Sequence, residues 1–431
     1  MSTKKRSILE NFYQFYAPIF LLLSFLAIIF IYLLLKNITV SIFAGIVLLI
    51  FMFRISPIGF LFFYIPEKLV SLESLFFFSA VFSVMFLSYL LRDAGIAESL
   101  VSLVRKSFPG LASFIILPAS IGLFPMPGGA LFSAPMVEKA DAASSISPGR
   151  KAAINYWFRH IWEFWFPLYP GVLLAANLSG MSIWDFGRQN IVFTFISVFA
   201  GSLFLLLPVR KSIKPAVSSM LKETNKLKLP FLEIIIIITT YSTGYLISPP
   251  FPGRGYAFLL LGTIVSALIL IIRSKIRFSN IKSILKFKKL WSFMLIVLLI
   301  KIYGFVLAVP TREGSIMQLI SEQFLATGIS PYLLIIILPL ISGLVMGIAV
   351  GFVGISFPLV LGIIASLPGD RIDAYIMLAY ISGYIGMMLS PLHICFIVSS
   401  EYFSSSLIKN LRYLIGPAAV ILISAIAFAM V

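Results

Sequence analysis

The chain has 431 residues, of which 60% are hydrophobic, 15% aromatic and only 11% charged, with a mean hydropathy of +1.06. Those proportions exclude a soluble globular domain and identify an integral membrane protein. The formal net charge of +17 does not point to nucleic acid, because Lys and Arg sit in short connectors between apolar runs, where they set topology and meet anionic lipid.

Lys4, Lys5 and Arg6 precede the first apolar run, Tyr16 to Leu35. The run is too long for a signal peptide and no small-x-small cleavage site follows it, so a retained first helix is expected. Further spans are expected at 38–53, 75–91, 152–178, 190–209, 231–248, 255–273, 290–309, 374–398 and 408–430, about ten in all. The alternation of a membrane β-barrel is absent. Two segments, 111–137 and 331–366, are apolar but interrupted by Gly and Pro, and each follows a polar, amphipathic stretch, 92–108 and 312–326. The expected fold class is an all-α polytopic membrane protein with two re-entrant hairpins in addition to its spans.

The interrupted segments resemble each other. "ILPASIGL" at 116–123 aligns with "ILPLISGL" at 337–344, pairing Pro118 with Pro339 and Gly122 with Gly343. "SAPMV" at 133–137 aligns with "SFPLV" at 356–360, and Tyr156, Ile161, Pro167 and Leu168 match Tyr380, Ile385, Pro391 and Leu392. The chain therefore reads as a duplication, 1–210 and 231–431, joined by a basic connector at 211–230. With an odd number of spans per half and the broken segments re-entrant, the halves face opposite ways, the inverted-repeat plan of secondary transporters. Basic residues favour an outside N-terminus: Lys36, Arg92, Arg150, Lys151, Lys409, Arg412 and the clusters at 210–228 and 273–289 then lie in the cytoplasm, although Lys4, Lys5 and Arg6 dissent.

Non-helical backbone at membrane depth must face protein or a water-lined cavity. In "FPMPGGALFSAPMV" at 124–137, Pro125 and Pro127 remove donors while Gly128 and Gly129 permit a tight turn, so the stretch reads as a hairpin tip or a helix break. Its counterpart "GIAVGFVGIS" at 347–356 is expected to turn with Gly351 and Gly354. Helix ends meeting there would attract anions at their amides and cations at their carbonyls, with Ser133 and Ser356 adding hydroxyls. Close helix packing by these small residues is the competing explanation. A second pair of breaks, "FPLYPG" at 166–171 and "LSPLHI" at 389–394, puts Tyr169 and His393 at equivalent places. For His393, a packed imidazole bonded to a carbonyl competes with a ligand or proton-relay role.

"INYWFRHIWEFWFPLYPG" holds Arg159, His160 and Glu163 within one expected helical turn, so His160 and Arg159 should lie beside Glu163. Buried charge in a membrane pairs or serves a pathway. Either Arg159 neutralises Glu163, or Arg159 or His160 meets an anionic substrate and Glu163 carries a proton. Lys301, also within a span, is expected to snorkel. There is no phosphate loop, H-E-x-x-H or G-x-S-x-G motif, so an enzyme is not expected. One cysteine, Cys395, excludes an intramolecular disulfide, and with two histidines a resident metal site or cofactor is not expected either.

At "LFPMPGGALFSAPMV" followed by "INYWFRHIWEFWFPLYPG" the chain resembles domain-of-unknown-function family 401, over nearly its whole length. That family is grouped with the ion-transporter superfamily of gluconate, citrate and divalent-anion carriers and certain sodium/proton antiporters. The resemblance implies an elevator-type carrier, a homodimer in the cytoplasmic membrane with a scaffold part and a transport part bearing two opposed hairpins. Hairpin-tip roles would fall on Pro127, Gly128, Gly129 and Ser133 and on Gly351, Gly354 and Ser356. The Ser-Asn-Thr motifs of divalent-anion carriers are absent at these tips. The resulting expectation is a secondary transporter of a small organic anion driven by Na⁺ or H⁺, with a cation/proton antiporter using Glu163 or His393 as the alternative.

Overall fold

The computed structural model describes residues 3–96, 110–125, 129–141, 145–211, 231–311, 314–316, 323, 328–367 and 369–430. They are almost entirely helical. In chain order come α1 (Thr3–Leu35), α2 (Ile38–Met52), α3 (Leu72–Asp93), α4 (Leu111–Gly122), α5 (Ala130–Ala140), α6 (Pro148–Arg159), α7 (Pro170–Ser179), α8 (Ile183–Asn190) and α9 (Val192–Gly201). After the connector follow α10 (Leu232–Ile247), α11 (Arg254–Ser274), α12 (Phe278–Leu285), α13 (Lys288–Leu307), α14 (Pro331–Met346), α15 (Ala349–Ala365), α16 (Ile372–Met388), α17 (Ile394–Tyr402) and α18 (Arg412–Met430). A two-residue antiparallel ladder, β1 (Pro310–Thr311) with β2 (Gly314–Ser315), is the one departure from helices and turns among the described residues.

Among the described residues, six helical stretches are long and apolar enough to cross a membrane: Tyr16–Leu35, Leu72–Asp93, Ile183–Val209, Arg254–Ser274, Lys288–Leu307 and Arg412–Met430. The expected spans at 38–53 and 231–248 form the shorter apolar helices α2 and α10. The expected spans at 152–178 and 374–398 are not single helices. Each is interrupted, α6 from α7 and α16 from α17; the ring of Pro391 would strike the Met387 carbonyl at the end of α16, whereas α6 ends at Arg159, four residues before the Glu163 carbonyl that Pro167 would strike. Bulky side chains such as Phe51, Phe195, Ile272 and Ile423 are exposed on α2, α9, α11 and α18, as on a surface solvated by acyl chains.

Helix ends recur at matched places. Arg54 and Lys275 both take a left-handed conformation, with φ of 48° and 51°, just after α2 and α11. The following amides reach back identically, Ile55 N–H to the Ile50 carbonyl at 3.0 Å and Ile276 N–H to the Ile271 carbonyl at 3.1 Å. Both are the C-terminal cap in which a left-handed residue lets the next amide satisfy an orphan carbonyl.

Two groups of helices follow from the packing. α1 lies on α2, α2 on α13, α10 on α11 and α11 on α3. In the other group, the antiparallel pairs α4/α5 and α14/α15 enclose the interrupted helices: α5 packs on α6 and α17, and α15 packs on α16 and α7. The second arm of each pair thus touches the interrupted helices of both halves of the chain. Close approach is set by glycine. A Cβ on Gly122 of α4 would collide with the Arg159 carbonyl, and a Cβ on Gly343 of α14 would collide with the Gly383 carbonyl.

Candidate functional site

The site grows out of the first interruption. Two prolines, Pro167 and Pro170, stand close together, and regular helix is lost from His160 to Tyr169. Backbone carbonyls released in a membrane interior need donors, and neighbouring side chains supply them. Tyr384 donates to the His160 carbonyl at 3.1 Å, Tyr380 to the Glu163 carbonyl at 2.7 Å and the Thr194 hydroxyl to the Ile161 carbonyl at 2.7 Å. Tyr156, the sequence match of Tyr380, reaches the Met387 carbonyl in the other half at 3.5 Å.

At the end of α6 the helical ladder tightens, with His160 N–H bonded to the Trp157 carbonyl rather than to that of Tyr156. The freed Tyr156 carbonyl lies 2.6 Å from His160 Nδ1. A carbonyl only accepts, so Nδ1 carries a proton. His393, at the N-cap of α17, has its Nδ1 2.7 Å from the Gly347 carbonyl, which fixes the same tautomer. The two Nε2 atoms then face each other at 3.0 Å. Both imidazoles are buried, with Tyr156 packed on each ring.

Charge surrounds the pair. Glu163 Oε1 lies 3.8 Å from His160 Nε2. Arg159 Nη1 is 3.5 Å from the same nitrogen and donates to Cys395 Sγ at 3.2 Å. By distance alone His160, His393 and Cys395, with donor atoms within 4.8 Å of one another, resemble a soft-metal donor set. The Arg159 guanidinium, directed at two of the three donors, takes the position of a cation there.

Four helix N-termini converge on this cluster. The start of α5 lies against Arg159, since a Cβ on Gly129 would strike the guanidinium. Cys395 is the second residue of α17. Gly347, which accepts from His393, immediately precedes the N-cap of α15, and Ala349 at the start of α15 touches Gly171 in the first turn of α7. Positive helix ends and a buried guanidinium make the local field favourable to an anion.

The sequence-predicted residues divide. Pro127 and Gly128 lie outside the described residues. Gly129, Tyr169, Arg159, His160, Glu163 and His393 come together, with Tyr169 donating to the Gly122 carbonyl at the end of α4 as His393 does to Gly347 in the other half. Arg159, His160 and Glu163 do not share a helical turn, because α6 ends at Arg159; of the two expected neighbours, it is His160, by its Nε2, that lies within 4 Å of the Glu163 carboxylate. The second hairpin turns at Gly347 and Ile348, not at Gly351 and Gly354. Only Gly347 has the positive φ, 63°, that a tight reversal needs, while Gly351 and Gly354 lie inside α15, the latter against Ile300 of α13. Ser133 and Ser356 are buried and donate within their own helices, to the Ala130 carbonyl at 3.4 Å and the Phe352 carbonyl at 2.7 Å, so neither hydroxyl faces a turn. Lys301 does not snorkel: its Nζ donates to Asn177 Oδ1 in α7 at 2.6 Å.

Cys395, Gly347, Tyr380 and Tyr384 were missed. The tyrosines had a signal in the match of Tyr380 to Tyr156. Cys395 had only its place two residues after His393, and its contact with Arg159 spans 236 positions of sequence. Comparison with curated proteins finds no match. The model of a family described as a protein of unknown function, DUF401, matches residues 19–431, and the chain belongs to that family.

Proposed function

We propose that the protein is a secondary active transporter of a small organic anion, a carboxylate or sugar acid, coupled to H⁺ or Na⁺ across the cytoplasmic membrane. The observation that carries this is the convergence of four helix N-termini and the Arg159 guanidinium at a place where both interrupted helices meet. Unwound backbone beside opposed hairpins is how carriers of this architecture hold a substrate near mid-membrane. The matched contacts of the halves support an inverted repeat, 1–210 and 231–431, with α4/α5 and α14/α15 as re-entrant hairpins. On that plan α1, α2, α3, α10, α11 and α13 belong to a scaffold through which two copies pair, and the hairpins and interrupted helices move as the transport part, in the manner of ion-transporter superfamily elevators.

Arg159 pairs with the anion in this reading. The test is a thermal-unfolding screen of detergent-purified protein against carboxylates and sugar acids, with and without Na⁺, at two pH values. An anion at about 100 times its Kd should add roughly 2.7 kcal/mol of stability. That gain should vanish in Arg159→Gln and persist in part in Arg159→Lys. The second reading, a cation/proton antiporter, is favoured by the carboxylate of Glu163 beside His160; stabilisation by Na⁺ or pH alone, unaffected at Arg159, would establish it instead.

A further inference from the structure

Both imidazoles direct an unprotonated Nε2 at the other, because each Nδ1–H is committed to a carbonyl, Tyr156 for His160 and Gly347 for His393. Arg159 Nη1, 3.5 Å from His160 Nε2, stands at the limit of hydrogen-bond length and leaves the His393 Nε2 lone pair facing His160 at 3.0 Å, an ordinary N–H···N length that calls for a proton between the two. We infer that His160 and His393 are the binding site of a single proton, shared between their Nε2 atoms, and that this is the proton the carrier couples to its anion. The proton site stands on geometry alone; its coupling role rests on the carrier reading above.

Of the groups facing the pair, the Glu163 carboxylate favours an added positive charge and the Arg159 guanidinium opposes it. From α6 and the break after it come Arg159, Glu163 and the Tyr156 ring; from α16 comes Tyr384, bonded to the His160 carbonyl; from α17 comes Cys395. Glu163 offsets the shared proton, and an anion beside Arg159 offsets the guanidinium, so proton and anion each lower the cost of the other's charge in a buried site. Movement is linked to release through Gly347. Its carbonyl belongs to the turn of the second hairpin, and withdrawing that turn removes the acceptor that fixes the His393 tautomer. His393 then presents Nε2–H or Nδ1–H alike, and the shared position is lost.

The chain contains only two histidines, so histidine-specific ¹⁵N labelling of full-length protein carrying a histidine-free tag gives a spectrum of this site alone. The expected result is two protonated Nδ1 signals and a through-hydrogen-bond coupling between the two Nε2 nitrogens, absent in His393→Gln and in His160→Gln. Two unprotonated Nε2 signals at every pH at which the protein stays folded would overturn the site. So would loss of the coupling on adding Zn²⁺ with shifts at both Nε2 that Cys395→Ser prevents, which would make it a metal site. Coupling is read in proteoliposomes with the anion that the unfolding screen identifies. Wild-type protein should exchange labelled for unlabelled anion without a gradient and take it up at least about tenfold faster under an inward proton gradient, and His393→Gln should abolish that acceleration. Exchange in the wild type with no response to the gradient would overturn the coupling and leave the carrier reading intact. Absence of any exchange would remove the carrier reading and the coupling together, leaving the labelling to decide the site.

Discussion

Tyr380 and Tyr156 occupy matched positions and donate to matched carbonyls, but at different lengths, 2.7 Å to Glu163 and 3.5 Å to Met387. Removing a donor from a buried carbonyl costs about 1–3 kcal/mol, whereas a bond at the limit of hydrogen-bond length contributes little. Tyr380→Phe should therefore lower thermal stability in detergent clearly more than Tyr156→Phe does, and equal losses would show that the two carbonyls are equivalent. Among single residues the sequence made several of the important ones legible. Tyr169 and His393 stood out because matched breaks put polar tips at equivalent places, and Arg159, His160 and Glu163 because charge is rare in so apolar a chain. Of their partners the i,i+3 pair of His160 with Glu163 was legible and the i,i+4 pair of Arg159 with Glu163 was not met within 4 Å, since such neighbours hold only while the helix continues and α6 ends within the cluster itself. Cys395 looked inert because its apolar local context says nothing about an arginine brought to it by the fold.

The interrupted helices differ in where the first part ends, not in where the second restarts. Pro167 and Pro170 lie three apart, and ten residues separate α6 from α7; the second half retains Pro391 but has Ile394 where Pro170 stands, and only five residues separate α16 from α17. The restarts match, Pro170 opening α7 where Ile394 opens α17, so the difference lies in where the preceding helix ends, α6 at Arg159 and α16 at Met388. Both interruptions were readable from the prolines, but the greater length of the first depends on tyrosine and threonine donors on other elements, which no local pattern announces. The hairpin glycines are also sorted by what they touch. Alanine at Gly122 or Gly343 would drive a Cβ into a backbone carbonyl of the adjacent interrupted helix, where nothing flexible can give way. Overpacking of that kind costs at least about 1–3 kcal/mol. Alanine at Gly354 would meet only the Ile300 side chain, which can change rotamer. Thermal unfolding should rank Gly122→Ala and Gly343→Ala well below Gly354→Ala; a Gly354→Ala variant as unstable as the other two would mean that α13 and α15 are packed too rigidly for Ile300 to move.

At the scale of the whole molecule, orientation of the halves is the question on which the carrier reading turns, and the matched caps after α2 and α11 offer a direct answer. Arg54 and Lys275 share a left-handed φ and the same pattern of returning amides, and on the duplication proposed above they are equivalent points in the two halves. Between them the chain passes α3, the interrupted α6–α7, the α8–α9 stretch, α10 and α11, while each arm of the α4/α5 pair cancels the other. If each of those units crosses once, the number of crossings is odd and the equivalent points lie on opposite sides. Because Cys395 is the sole cysteine, Cys395→Ser provides a background for single-cysteine labelling. Neither Arg54 nor Lys275 is a glycine or β-branched, so cysteine adds no new backbone strain at either place. With the N-terminus outside, Arg54→Cys should react with a membrane-impermeant maleimide in intact cells, and Lys275→Cys should react only after the membrane is opened. The reverse assignment would keep the inverted repeat and overturn the orientation, in favour of Lys4, Lys5 and Arg6 as the dominant topological signal. Labelling of both from one side would place the halves in parallel. The helix N-termini of the two hairpins would then enter from the same face, and the alternating exposure of a central site by opposed hairpins would lose its structural basis.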